Sequence, residues 1–197
     1  MRDFDPKRTL CLLGSPRQKS NSNLLADNFI DLARCAGADV AKMKLADLSY
    51  SGCLNLFECK HGSERCGLSD DLSQVLLEIE QAEVLVLASP VYFTNVTSQM
   101  KAVIDRLFSF FVPGYASIKE KSRLSGGRTL VWIQTQGEGE EMYADLMKSY
   151  EAAFRGLGFE HFHLIRAWGV REPGDVLANP EFLQSCNLIA EEIYGSL

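Results

Sequence analysis

Apolar and polar positions along this chain follow two different rhythms. Residues 9–13 form a short unbroken apolar run that stops at Gly14, the pattern of a strand buried on both faces. From 23 to 36 the period becomes helical: Leu25, Phe29, Leu32, Ala33 and Ala36 share one face, and Gly37 is a natural stop. Residues 39–45 (DVAKMKL) alternate as a second strand. Ser69-Asp70-Asp71 opens a helix with a hydroxyl cap and two acids in its first turn, running to about residue 81. VLVLA at 84–88 is the clearest buried strand. Val96, Met100, Val103, Ile104, Leu107, Phe108 and Phe111 then recur at helical spacing until Pro113-Gly114. A strand at 128–135, a helix at 142–157 stopped by Gly158, a strand at 159–167 and a helix from about 180 to 193 complete the series.

Strands alternating with helices in this way predict an α/β fold with a doubly wound parallel sheet of five strands and helices on both faces. Nothing divides the 197 residues compositionally, so a single domain over 1–197 is expected, with an irregular excursion at about 46–69. Ligands bind such sheets outside the carboxyl ends of the strands, where strand order reverses. The loops at 14–22, 89–95 and 135–140 all follow strands and belong to that edge.

Composition narrows the function classes. The chain is 46% hydrophobic and 23% charged, ordinary for a water-soluble globular protein. Its net charge is -6, and its 20 Lys and Arg gather into no basic stripe, so no nucleic acid is expected. No run reaches transmembrane length and the start MRDFDPKR is charged, so neither a membrane nor a secretory leader is expected. Six cysteines are scattered. Cys11 in a strand and Cys35 in a helix read as small buried hydrophobes, which suits a reducing cytoplasm.

The first loop, GSPRQKSNSN, poses the chemical question. Only Gly14 is present, so the G-x-G-x-x-G dinucleotide fingerprint fails, and Lys19-Ser20 arrives one residue too early for a P-loop. A receiver domain needs acids at the strand ends, where this chain has Gly14-Ser15 and Ser89-Pro90. Ser15, Ser20, Asn21 and Ser22 supply short donors, Arg17 supplies charge, and the following helix adds its N-terminal N–H groups. That set suits a terminal monophosphate; it equally suits a polar turn with a helix cap. The second loop, SPVYFTN at 89–95, spends three large apolar residues in succession. They either cover a flat ligand, with Thr94 and Asn95 reading ring heteroatoms, or pack on the next helix.

GSPRQKSNSN followed by SPVYFTNVTSQMKAVIDR resembles the flavodoxin-like NAD(P)H-dependent FMN reductases, nearest to the branch with iron–sulfur flavoproteins. The resemblance runs from about Thr9 to Glu140 and implies strand order 2-1-3-4-5. It implies that Ser15, Arg17, Ser20, Asn21 and Ser22 hold the FMN phosphate. Pro90, Val91, Tyr92, Phe93, Thr94 and Asn95 would border the isoalloxazine, and Thr135, Gln136, Gly137 and Glu138 form the third flavin loop. The function so implied is an FMN-dependent oxidoreductase that takes hydride from NAD(P)H and reduces a flavin, quinone or other small aromatic acceptor. The flavin carries the chemistry, so no catalytic acid or base is named. The alternative is an FMN-containing electron carrier without NAD(P)H activity. A homodimer or homotetramer is expected, with 46–69 or 112–127 at its interface.

In the excursion the branch carries G-C-x-x-C-x-x-C, a further Cys and an Asp-Asp pair. This chain keeps Gly52, Cys53, Cys59, Cys66 and Asp70-Asp71, but Leu56 stands where one thiolate belongs. A cluster takes four thiolates; His61 as a fourth ligand or a Zn²⁺ site is the alternative, but the spacing matches no standard zinc pattern, so no metal is expected. His161 and His163 share one face of a strand and are read as structural. Asp105-Arg106 is read as a structural ion pair, Trp132 as core, and Trp168 is assigned nothing.

Overall fold

The computed structural model describes residues 6–195. Its strands are β1 (Arg8–Leu13), β2 (Asp39–Lys44), β3 (Val84–Pro90), β4 (Arg128–Thr135) and β5 (Phe159–Ala167). They form one parallel sheet in the order β2-β1-β3-β4-β5, as the sequence pattern and the resemblance together lead one to expect. The helices are α1 (Asn21–Cys35), α2 (Leu72–Gln81), α3 (Ser98–Arg106), α4 (Lys148–Gly156) and α5 (Pro180–Tyr194).

Each face of the sheet has its own core. On one face Cys11, Val86 and Ile133 pack with Leu25 and Phe29 of α1 and with Phe182 and Cys186 of α5. On the other, Leu10, Leu87 and Trp132 pack with Val75 of α2, Met100 of α3 and Phe154 of α4. Every residue of β4 is buried, the apolar centre Leu130–Ile133 and the polar ends alike. Burial pushes the Cys11 thiol up to about 12, so it is an inert core side chain. Cys35 differs: it is exposed in the last turn of α1, on the solvent face of that amphipathic helix.

Three helices are shorter than their apolar periods. Residue 72 begins α2, and Asp71 gives it no side-chain cap. Asp71 accepts the N–H of Ser49 at 2.7 Å, and Asp70 accepts those of Ser51 and Leu72, each at 3.1 Å. Beyond Arg106, α3 tightens into a 3-10 turn at Leu107–Phe110, which keeps Leu107 and Phe110 buried. The segment 142–147 does not join α4. Tyr143 has φ +57°, and the carbonyls of Met142 and Tyr143 accept from the Gln136 and Gln134 side-chain amides.

The expected Asp105–Arg106 pair is not formed. Asp105 bonds Lys101 one turn back on the surface of α3. Arg106, its side chain fully buried, reaches Asp70 instead, with Nη1 2.6 and 2.7 Å from the two carboxylate oxygens. Burial opposes the Asp70 charge, but Arg106 and the N–H groups of Ser51 and Leu72 outweigh it and hold the carboxyl below its usual range. His163 lies 3.5 Å from Glu192, and its burial lowers its pKa, while His161 is exposed.

Candidate functional site

At the carboxyl ends of β1 and β3 the chain turns to opposite sides, since β2 and β4 flank them. A crevice opens where they part. It is a cleft of about 660 Å³ lined by Ser15, Arg17, Ser20 and Asn21 of the first loop, Pro90, Val91 and Tyr92 of the second, and Thr135–Glu138 of the third. The fold thus brings the three loops singled out in the sequence to one hollow, of a size usual for small-molecule sites.

Close packing underlies this convergence. The Thr97 hydroxyl donates to the Gly14 carbonyl at 2.8 Å, and a Cβ on Gly14 would sit 3.1 Å from both the Met100 side chain and that hydroxyl. Glycine lets the first loop leave β1 this near α3 without displacing Met100. Ser20 caps α1, taking the Asn23 N–H at 3.2 Å, and its hydroxyl lies 3.3 Å from that of Ser22. Ser15, Ser20 and Ser22 are all buried, and the Asn23 Oδ1 is buried without a partner. Buried hydroxyls at a helix N-terminus, beside N–H groups with no intrahelical acceptor, form an anion-binding set.

The loops are largely tied within themselves. Val91 N–H donates to the Thr135 carbonyl at 2.8 Å, joining the second loop to the third. Tyr92 and Asn95 exchange backbone bonds of 2.7 and 3.1 Å around a tight turn at Phe93-Thr94, whose φ values of +44° and +71° are strained for such side chains. Phe93 is fully exposed at the tip and Tyr92 is exposed at the cleft. Asn95 Oδ1 accepts from the Val96 N–H and the Tyr150 hydroxyl, so that side chain serves the loop. Ser22, Phe93, Thr94 and Asn95 therefore stand beside the cleft without lining it. The Gln136 amide is likewise spent on the carbonyls of Gly139 and Met142, both at 2.7 Å.

A fourth loop, Val170–Pro173 after β5, completes the lining and was missed in the sequence. The signal was present: a Gly-to-Gly loop with an arginine, directly after a strand on the same sheet edge. The Asn21 side chain fastens it, donating to the Glu172 carbonyl at 2.9 Å and accepting the Gly174 N–H at 3.0 Å.

The cysteine excursion makes a separate structure. Cys53, Cys59 and Cys66 border a hollow of only about 20 Å³. The Lys60 ammonium stands 3.5 Å from the Cys59 sulfur, 2.7 Å from the carbonyls of Phe108 and Phe111, and over the Phe108 ring. Among the described residues no three His, Cys, Asp or Glu side chains gather closely enough to hold a metal ion. Three thiols and an inserted cation do not fit an iron–sulfur cluster. A larger hollow of about 570 Å³ lies between the excursion and α2. Its floor is Leu76, Leu77 and Phe110, and it shares no residue with the strand-end cleft. No helix among the described residues is long and apolar enough to cross a membrane.

Comparison with known proteins agrees with this geometry. Residues 8–155 match the family model described as NADPH-dependent FMN reductase. An iron–sulfur flavoprotein of Archaeoglobus fulgidus is 32% identical over 99 residues, 50% of this chain and 44% of that protein. An FMN-dependent NADH:quinone oxidoreductase of Bacillus cereus is 26% identical over 126 residues, 57% of each chain. The chain spans about half the length of the curated relatives it matches. Among solved structures, the NAD(P)H:quinone oxidoreductase of Methanothermobacter marburgensis superposes with a TM-score of 0.73 at 18% identity, over 98% of this chain and 99% of that one. An FMN-dependent NADH-azoreductase of Bacillus anthracis, in complex with FMN, gives 0.65 at 20% identity, over 93% and 100%. These two likenesses concern the fold.

Proposed function

The chain belongs to the NADPH-dependent FMN reductase family, and on that premise we propose that it binds FMN in the strand-end cleft and oxidises NAD(P)H. The observation that carries this reading is the convergence of three strand-end loops on a cleft whose inner end holds buried hydroxyls at a helix N-terminus. Bound there, FMN supplies a ring that accepts hydride and passes electrons on, chemistry no side chain of this chain offers.

The chain's own residues bind and orient. The hydroxyls of Ser15 and Ser20, the Asn21 N–H group and the Arg17 guanidinium would hold the phosphate, with Ser22 backing the Ser20 hydroxyl from behind. Val91 and Tyr92 provide a flat apolar border for the ring. In the third loop, Gln136 N–H is already bonded to the Ala167 carbonyl, which leaves those of Gly137 and Glu138 for the ring's polar edge. Phe93, Thr94 and Asn95 fix the height of that border by their strained turn.

The second substrate is a free flavin, a quinone or an aromatic nitro or azo compound; if both substrates use the same ring face, steady-state kinetics would be ping-pong. The protein acts in the cytoplasm as one domain and assembles as a homodimer or homotetramer. Exposed Leu54, Leu56 and Phe57 of the excursion and Ile118 of the 112–127 segment support an interface there. A monomer by light scattering would remove that arrangement.

The deciding experiment is a visible spectrum of anaerobically purified protein, followed by NADPH. Flavin bands that bleach support the reading. Persistent bands indicate an electron carrier, and a colourless protein that takes up no FMN overturns the cleft assignment.

A further inference from the structure

The fourth loop carries a cation that neither motif matching nor the family's three flavin loops assigns. Arg17 and Arg171 lie on facing loops of the cleft. Arg17 reaches the fourth loop and Arg171 the third: Arg17 Nη1 donates to the Arg171 carbonyl at 3.4 Å, and Arg171 Nε donates to the Gly137 carbonyl at 3.2 Å. Among the described residues neither is in an ion pair. The carboxylates that share the cleft, Glu138 and Glu172, stay unpaired with them. A protein of net charge -6 therefore presents two guanidiniums without a carboxylate partner in the cleft that Ser15 and Ser20 also line.

The loop that presents Arg171 is built to stay in place. Asp175 accepts the N–H groups of Arg171 and Glu172, both at 2.8 Å, and these bonds hold its carboxyl below the usual range. Asn21, in the first turn of α1, ties Glu172, Gly174 and Val176 to that helix. The same residue thus stands at the phosphate end of the cleft and fastens the loop opposite. Gly137 leaves room for the Arg171 stem, since a Cβ there would meet its Cγ at 3.0 Å.

We infer that Arg171 is a specificity-determining residue: with Arg17 it forms a two-guanidinium clasp that selects a phosphomonoester, so the site takes up the phosphorylated ligand and discriminates against its dephosphorylated analogue. This rests on the cleft being the flavin site. Planar N–H forks suit a phosphate dianion, and each bond to a charged group matters more than a neutral one. Two ligands of this chemistry exist: the 5′-phosphate of FMN and the 2′-phosphate of NADPH.

The test compares Arg171→Gln and Arg171→Lys with the unaltered protein, titrated with FMN and with riboflavin, and compares KM for NADPH with KM for NADH. If the clasp holds the flavin phosphate, Arg171→Gln weakens FMN about tenfold while riboflavin is unchanged, and Arg171→Lys recovers part of the loss. If it holds the 2′-phosphate, FMN affinity stays and the KM for NADPH rises about tenfold, with that for NADH constant. Equal weakening of FMN and riboflavin would reveal a merely structural loop and overturn the inference, as would no change in any of the four. An unaltered protein that binds no FMN would overturn the flavin reading itself, a distinct result.

Discussion

The strand-end cleft and the cysteine excursion are both irregular stretches, yet they are held by different means. Cleft loops inherit their positions from the sheet. Each leaves the end of a buried strand, and backbone bonds such as Val91 N–H to Thr135 carbonyl carry the register one step further. Side chains such as Asn21, Asn95, Gln136 and Asp175 tighten them, while the Arg17 and Arg171 guanidiniums are left without a carboxylate partner among the described residues. The excursion departs from the edge strand β2 and has no such scaffold. It is fastened by charge: Arg106 to Asp70, Ser51 and Leu68, Lys60 to Phe108 and Phe111, and Arg123 to Cys59, Ser109 and Phe111. Its polar groups are consumed in holding it, and its apolar residues Leu54, Leu56 and Phe57 face outward. A loop becomes a site where the scaffold leaves polar groups unspent.

The sharpest break of this contrast is Asp70→Asn. It strands the buried Arg106 charge and should cost about 3 kcal/mol, read as a lower urea midpoint, while protein still folded keeps its full flavin affinity. Ser20→Ala should do the reverse. It removes the α1 cap, costing about 1 kcal/mol, and lowers FMN affinity about tenfold by titration, leaving amide exchange in the excursion unchanged. Lys60→Met should cost about 1 kcal/mol and speed amide exchange around the Lys60 anchor with no effect in the cleft.

The smallest effect is one of pH. The Asp70 carboxyl titrates below its ordinary value of 3.8 in the folded chain. The unfolded chain therefore binds the proton first, so the stability Asp70 contributes is complete above that value and is lost as pH falls through the folded value. Acid unfolding of Asp70→Asn should lack this component, while Ser20→Ala should retain it. Equal acid profiles for the parent and Asp70→Asn would show that the pair does not anchor the excursion.

What the sequence determined by itself was set by period and by chain punctuation. β4 and β5 fall on 128–135 and 159–167 as expected, because each holds a compact apolar segment and follows glycines, Gly126-Gly127 and Gly158, that break the preceding element. The serine-rich first loop and the aromatic loop were legible as parts of one sheet edge because each follows a strand directly. Tertiary structure decided where polar side chains were spent. Asp70 reads locally as a helix-start acid, and only the approach of Arg106, 36 positions away, makes it an anchor. Asn21 reads as a phosphate donor, but its amide fastens a loop more than 150 positions later. The late start of the helix expected over 142–157 goes with the Gln134 and Gln136 amides bonding the carbonyls of Tyr143 and Met142. Hydrophobic burial repeats with the local geometry of the backbone and is written in the periods. Hydrogen-bond partners are chosen by proximity in space, which only the folded chain supplies.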